Sequence, residues 1–73
     1  MMNAVEIGKR LRELRGGRSM ETVAAAVGVS RSALTMYETG NRIPRDEIKI
    51  RLCRYYGVGI DIFFEDLQHE SLS

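Results

Sequence analysis

Glycine placement limits this chain more than any other feature. Gly16 with Gly17, then Gly28, Gly40 and Gly57, divide it into stretches one helix long, and the apolar residues within each stretch recur at helical rather than alternating spacing. Ile7, Leu11 and Leu14 repeat with charges between them, which predicts an amphipathic helix from Ala4 to Arg15 that ends at Gly16. Ser19 caps a second helix, Met20 to Val27, with Glu21 in its first turn and Gly28 as its stop. Ser30 caps a third, which runs to about Thr39, where Gly40 and Asn41 suit the left-handed conformation of a helix end. Pro44 bars continuation. A fourth helix restarts at Arg45 or Asp46 and carries Ile48, Leu52, Tyr55 and Tyr56 up to Gly57. Ile60 to Leu67, apolar at Ile60, Phe63, Phe64 and Leu67, predicts a short fifth helix, with a fraying tail beyond it. The expectation is a compact, all-α, five-helix single domain over residues 1–73, its core within about 4–67.

Composition excludes several function classes. A chain of 73 residues holds one modest core and leaves no room for a separate effector domain, so no small-molecule effector is expected. Cys53 is the only cysteine and sits on the stripe of the fourth helix, where a small core residue fits better than a metal or redox centre. No intramolecular disulfide or multi-cysteine metal site can form, and a reducing, cytoplasmic setting is expected. No apolar run is long enough to span a bilayer, and Met1 to Lys9 lacks a signal-peptide core, so no membrane association is expected. His69 stands alone in the tail, without a second ligand at zinc spacing. Ser30, Ser32, Asp46 and His69 do not amount to a catalytic triad, since no nucleophile elbow, phosphate loop or paired-carboxylate motif accompanies them. The sequence predicts no enzyme, no cofactor and no metal.

The net charge of +1 hides an uneven distribution. Up to Arg45 there are eight Lys or Arg against four Glu, and after it three basic residues face six acidic ones. The first two thirds would attract a polyanion, although a mixed charged face also serves as plain solvated surface.

Met20 to Tyr37 is the informative segment. Val23, Val27, Val29, Leu34 and Tyr37 form one buried set, with Ala24 keeping two steeply crossed helices close and Gly28 making the turn. Subtracting that set leaves Arg31, Ser32, Ala33, Thr35 and Met36 on the outer face of the third helix. Arginine can fork onto guanine, serine and threonine can bond several base edges, and small apolar groups can touch the thymine methyl. An ordinary helical hairpin would satisfy the same packing.

The run SMETVAAAVGVSRSALTMYETGNRIP resembles the helix-turn-helix of the phage repressor and Cro (XRE-type) regulators, and RDEIKIRLCRYYGVGIDIFF resembles the helices that follow it in that family. The resemblance extends from Ile7 to Phe64. It is carried by Ala24, the Gly28-Val29-Ser30 turn, Tyr37-Glu38 with Gly40, Arg42-Ile43-Pro44 and Gly57-Val58. It implies a lambda-repressor-like fold whose third helix enters the major groove of double-stranded DNA, with Ser30, Arg31, Ser32, Ala33, Thr35 and Met36 reading bases. Phosphate contacts would fall to Met20 at the start of the second helix, to Thr39, Asn41 and Arg42 after the third, and to Arg18. Relatives commonly carry Gln where Met20 stands; Met cannot donate that hydrogen bond, so the contact there is through the backbone or absent. The loop Gly16 to Ser19 is shorter than usual. Arg15 would match the family's buried arginine, with Glu38 as its structural ion-pair partner.

The domain cannot bury Tyr55, Tyr56, Ile60, Ile62, Phe63, Phe64 and Leu67 equally well, so Ile60, Ile62, Phe63, Phe64 and Leu67 are expected to supply a dimer contact. The function expected is a homodimeric repressor on a near-palindromic operator, of the kind carried by phages or integrative elements. The competing expectation is a protein-interaction or antitoxin-like module that keeps the fold and has lost DNA binding.

Overall fold

The computed structural model describes residues 3–64. Four α-helices follow in order: α1 (Ala4–Arg15), α2 (Met20–Val27), α3 (Arg31–Thr39) and α4 (Asp46–Tyr56). Three of them begin on a side-chain cap. The Asn3 carboxamide oxygen accepts from the Glu6 N–H (2.9 Å), Ser19 Oγ from Thr22 (3.1 Å) and Ser30 Oγ from Ala33 (3.0 Å). Arg45 precedes α4 without a side-chain cap, and Asp46 and Glu47 place negative charge in its first turn instead.

One core joins all the elements. Ile7 and Leu11 come from α1, Val23, Ala24 and Val27 from α2, Leu34 and Tyr37 from α3, and Leu52 and Cys53 from α4. Helix α1 packs chiefly against α3, and Gly8 makes that possible: a Cβ there would lie 2.5 Å from the Glu38 carbonyl oxygen and 2.7 Å from that of Tyr37. Helices α2 and α3 meet across Gly28, whose φ of 85° sends the chain sharply round while the Gly28 and Val29 N–H groups both donate to the Ala24 carbonyl. The loop after α3 is tied in the same manner, with Asn41 and Arg42 N–H both donating to the Met36 carbonyl, and Pro44 is fully buried.

The fifth element differs from expectation. Where an α-helix is expected to start, at Ile60, the structure has a short 3-10 helix, Ile60–Phe64, so the described residues form four α-helices and one 3-10 turn. The chain enters it already pinned against α4. The Val58 N–H donates to the Cys53 carbonyl (3.0 Å), Cys53 Sγ donates to the Gly59 carbonyl (3.6 Å), and Ile62 N–H closes back on Gly59 (3.2 Å). That tight path carries Phe63 straight into the core, where it is wholly buried with the Lys49 ammonium 5.7 Å from its ring centroid. Phe63 therefore belongs to the core of the domain and not to an exposed contact face. Ile62 is half-buried and Ile60 is 43% exposed. Leu67 and the side chain of Phe64 lie outside the described part, as does the tail expected to fray.

Burial, and secondarily the charge of Asp61, pushes the Cys53 thiol above its ordinary range, which suits a packed core residue. Among the described residues no helix is long and apolar enough to cross a membrane, and no group of acidic, histidine or cysteine side chains could hold a metal ion.

Candidate nucleic-acid interface

Because Leu34, Tyr37 and Glu38 face inward, Arg31, Ser32, Thr35, Met36 and Thr39 of α3 face out. Arg31, Ser32, Thr35 and Met36 are all exposed and line one shallow, open groove. Ser30 is exposed beside them, with its Oγ committed to the cap. Ala33, expected on the same face, is half-buried and packs against the core.

Hydrogen bonding gives the outer face a definite polarity. Thr35 Oγ1 donates to the Arg31 carbonyl (3.0 Å), so toward an incoming ligand the hydroxyl can act only as an acceptor, alongside its methyl group. Thr39 Oγ1 donates to the Thr35 carbonyl (2.9 Å) and accepts from Asn41 Nδ2 (2.9 Å). That pair ties the loop to the end of α3 and leaves the second Asn41 N–H uncommitted. Arg42 is exposed in the same loop and makes no side-chain hydrogen bond or ion pair among the described residues. Arg31 does have a partner: its Nε stands 3.3 Å from Glu21 Oε1 in the first turn of α2.

A second concavity, about 250 Å³, opens where the start of α2 meets α1 and the end of α3, lined by Arg12, Arg15, Met20, Glu38 and Thr39. Arg15 grips Glu38 in a two-point pair, Nε to Oε2 at 2.8 Å and Nη2 to Oε1 at 3.0 Å, while its Nη1 donates to the Arg18 carbonyl at 2.9 Å. The hydrogen bond to Glu38 raises the Arg15 pKa further, so the guanidinium keeps its charge. The short α1–α2 loop is thereby fastened to α3, and Ser19 with the first turn of α2 is held at the lip of the cleft. Met20 is half-buried against the core, which leaves its backbone rather than its side chain to meet an anion.

Arg18 is engaged elsewhere. Its guanidinium lies 5.3 Å from the Tyr55 ring centroid and 5.6 Å from that of Tyr56, a cation–π arrangement that ties the loop to α4. The Tyr56 hydroxyl beneath is buried with no hydrogen-bond partner among the described residues, and burial, aided by the Glu38 charge, pushes its pKa up to about 12. Two residues of the site escaped sequence reasoning. Arg12 is exposed, lines the cleft and makes no ion pair or hydrogen bond through its side chain among the described residues; its signal was the three-residue step to Arg15 on the same helix face. Glu21 is the partner of Arg31, and nothing in its local sequence announces that.

Two helices joined by a tight glycine turn, the second with a polar exposed face and the first with cations around its start, form the arrangement a helix-turn-helix requires. The family model for helix-turn-helix domains matches residues 9–63, from within α1 to the 3-10 helix. The chain belongs to the XRE-type helix-turn-helix family. Comparison with curated proteins finds no match. The helix-turn-helix domain of this family is a DNA-binding module of transcription regulators and is not typically an enzyme, which makes double-stranded DNA the ligand class against which α3 and the cleft are to be understood.

Proposed function

We propose that this helix-turn-helix protein is a single-domain, sequence-specific transcriptional repressor that binds a near-palindromic operator as a homodimer. The observation that carries the reading is the outer face of α3, where Arg31, Ser32, Thr35 and Met36 are exposed together around one groove while the opposite face is locked into the core. In the major groove Arg31 forks onto guanine O6 and N7, Thr35 accepts from an exocyclic amine or touches a thymine methyl, and Ser32 and Met36 fill the remaining edge contacts. Arg42 and Asn41 on one side of α3, and Arg12 with the first-turn N–H groups of α2 on the other, meet phosphates and set the register. Arg18 acts indirectly by holding the α1–α2 loop. Two protomers joined through Ile60 and Ile62 place their reading helices about 34 Å apart, one helical turn of DNA. Occupying a promoter is then sufficient to block transcription. Regulators of this type are carried by phages and integrative elements, and the resemblance to them supports such a setting for this protein.

The test is selection of bound sequences from a random duplex library, followed by affinity measurements at low and at physiological salt. A two-fold symmetric motif whose affinity falls steeply with salt is the expected result. Absence of enrichment at both salts overturns the reading and leaves the fold as a protein-interaction module.

A further inference from the structure

The proposed base reader Arg31 is not a free side chain. Its guanidinium is paired with Glu21, and the closest approach is through Nε, at 3.3 Å from Oε1, not through the terminal nitrogens. Both side chains are 68% exposed, so the pair is not a buried structural lock, and the core does not depend on it. It joins the first turn of α2 to the first turn of α3, and Arg31 is one of the residues that line the reading groove.

The atom used is what matters. Guanine is read by two parallel donors, and the terminal Nη1 and Nη2 form that fork. A carboxylate whose nearest approach is to Nε leaves the terminal nitrogens without a hydrogen bond among the described residues, and its charge narrows the conformations of a side chain with much rotamer freedom to lose. The same carboxylate disfavours the competing arrangement in which Arg31 swings onto a phosphate, since Glu21 would then face a polyanion with its charge uncompensated. Resting on the reading of α3 proposed above, we infer that Glu21 is a positioning and specificity-determining residue: it orients Arg31 for guanine and gives up some overall affinity for selectivity at one base pair.

Two roles for Glu21 can be separated by experiment. If it only repels phosphate, removing it strengthens binding to every duplex by one factor, whether or not Arg31 is present. If it orients Arg31, removing it changes preference at one base pair, and only while Arg31 is there. The proteins to compare are the parent, Glu21→Ala, Glu21→Gln, Arg31→Ala and the Glu21→Ala/Arg31→Ala double variant, each titrated against the selected operator and against the same duplex changed at one base pair at a time. Arg31→Ala should lower discrimination at one pair per half-site by about tenfold or more. Glu21→Ala should lower it at that same pair by about two- to fivefold, on the scale of an exposed ion pair, while raising affinity for unrelated duplex. Glu21→Gln should fall between parent and alanine, and the double variant should discriminate no worse than Arg31→Ala alone. Unchanged discrimination in Glu21→Ala, or an equal change with and without Arg31, overturns the inference while the reading of α3 stands. Loss of no base preference in Arg31→Ala overturns the reading itself, and the inference with it.

Discussion

The Arg15–Glu38 pair offers the sharpest test of how the reading helix is held. The Glu38 side chain is 3% exposed and that of Arg15 18%, and two hydrogen bonds of 2.8 and 3.0 Å join them. Replacing Arg15 with Met keeps much of the apolar stem and removes the charge that compensates a buried carboxylate. Breaking one side of such a pair costs about 3–5 kcal/mol, and the residual exposure of Arg15 places this case near the lower end, about 3 kcal/mol. A domain of this size holds only roughly 4–11 kcal/mol in total, so the variant should melt about 12–24 °C below the parent. Glu38→Leu strands the guanidinium less severely, because Arg15 can lean toward solvent and retains the Arg18 carbonyl, so its loss should be nearer about 1–2 kcal/mol. The double variant Arg15→Met/Glu38→Leu removes both charges together and should return to within about 1 kcal/mol of the parent, since apolar replacement of a whole buried pair is commonly neutral. Urea denaturation followed by circular dichroism measures all four corners of the cycle. A double variant that loses the sum of the two single losses would falsify the argument that desolvated charge, rather than packing volume, sets the cost.

Three further outcomes follow from the geometry. Gly8→Ala should destabilise by about 1–3 kcal/mol or more, although alanine is the better helix former by about 1 kcal/mol, because the new Cβ meets backbone oxygens of α3 at 2.5 and 2.7 Å; a raised melting temperature would refute the close approach. Tyr56→Phe should leave neutral-pH stability unchanged or raise it by up to about 1 kcal/mol, because the lost hydroxyl is buried without a partner among the described residues. With the Tyr56 pKa near 12 against an ordinary 10, the unfolded chain loses the proton first, so parent stability should fall as pH rises from about 10 to about 12; Tyr56→Phe should remove that component of the decline, as denaturation at stepped pH would reveal. In the proposed complex, Arg42→Ala and Arg12→Ala should each weaken binding to all duplexes alike and reduce the salt slope by about two per dimer, and a change in base preference instead would move these residues from positioning to reading.

What was legible in the sequence was what short-range chemistry decides. Ser19 and Ser30 cap, Gly28 and Gly40 stop, and the helical spacing of Ile7, Leu11, Leu34 and Leu52 selects the buried faces, so α1 to α4 could be placed almost to the residue. The fifth element was not legible, because a short apolar run has the same pattern whether it winds as α or 3-10, and the choice was made by Cys53 and Gly59 pinning its entrance to α4. Phe63 is drawn into the core beside that pinned entrance, a fact that a count of apolar residues cannot contain. In the site, the outward residues of α3 followed from subtraction of the buried set, and the match of Arg15 to Glu38 rested on family likeness. The pairing of Arg31 with Glu21, the cation–π contact of Arg18 with Tyr55 and Tyr56, and the place of Arg12 in the cleft depend on how helices cross, which no local pattern encodes.

A helix of nine residues is too short to be stable alone, so α3 owes its shape to what holds its inner face. Leu34 and Tyr37 bury it, Gly8 lets α1 approach its backbone, Glu38 ties it to Arg15, and the Met36 carbonyl receives the returning loop. None of these groups except Met36 belongs to the outer face, and Met36 takes part through its backbone alone. Stability and the proposed reading are therefore assigned to different atoms of one helix. In the proposed complex, substitutions at Arg31, Ser32 or Thr35 should alter base preference with little effect on folding, whereas a change at Leu34 or Glu38 should shift the outward side chains together. Glu21 stands outside both sets, on a neighbouring helix with an exposed side chain, so the tuning proposed for it would not disturb the frame that presents Arg31.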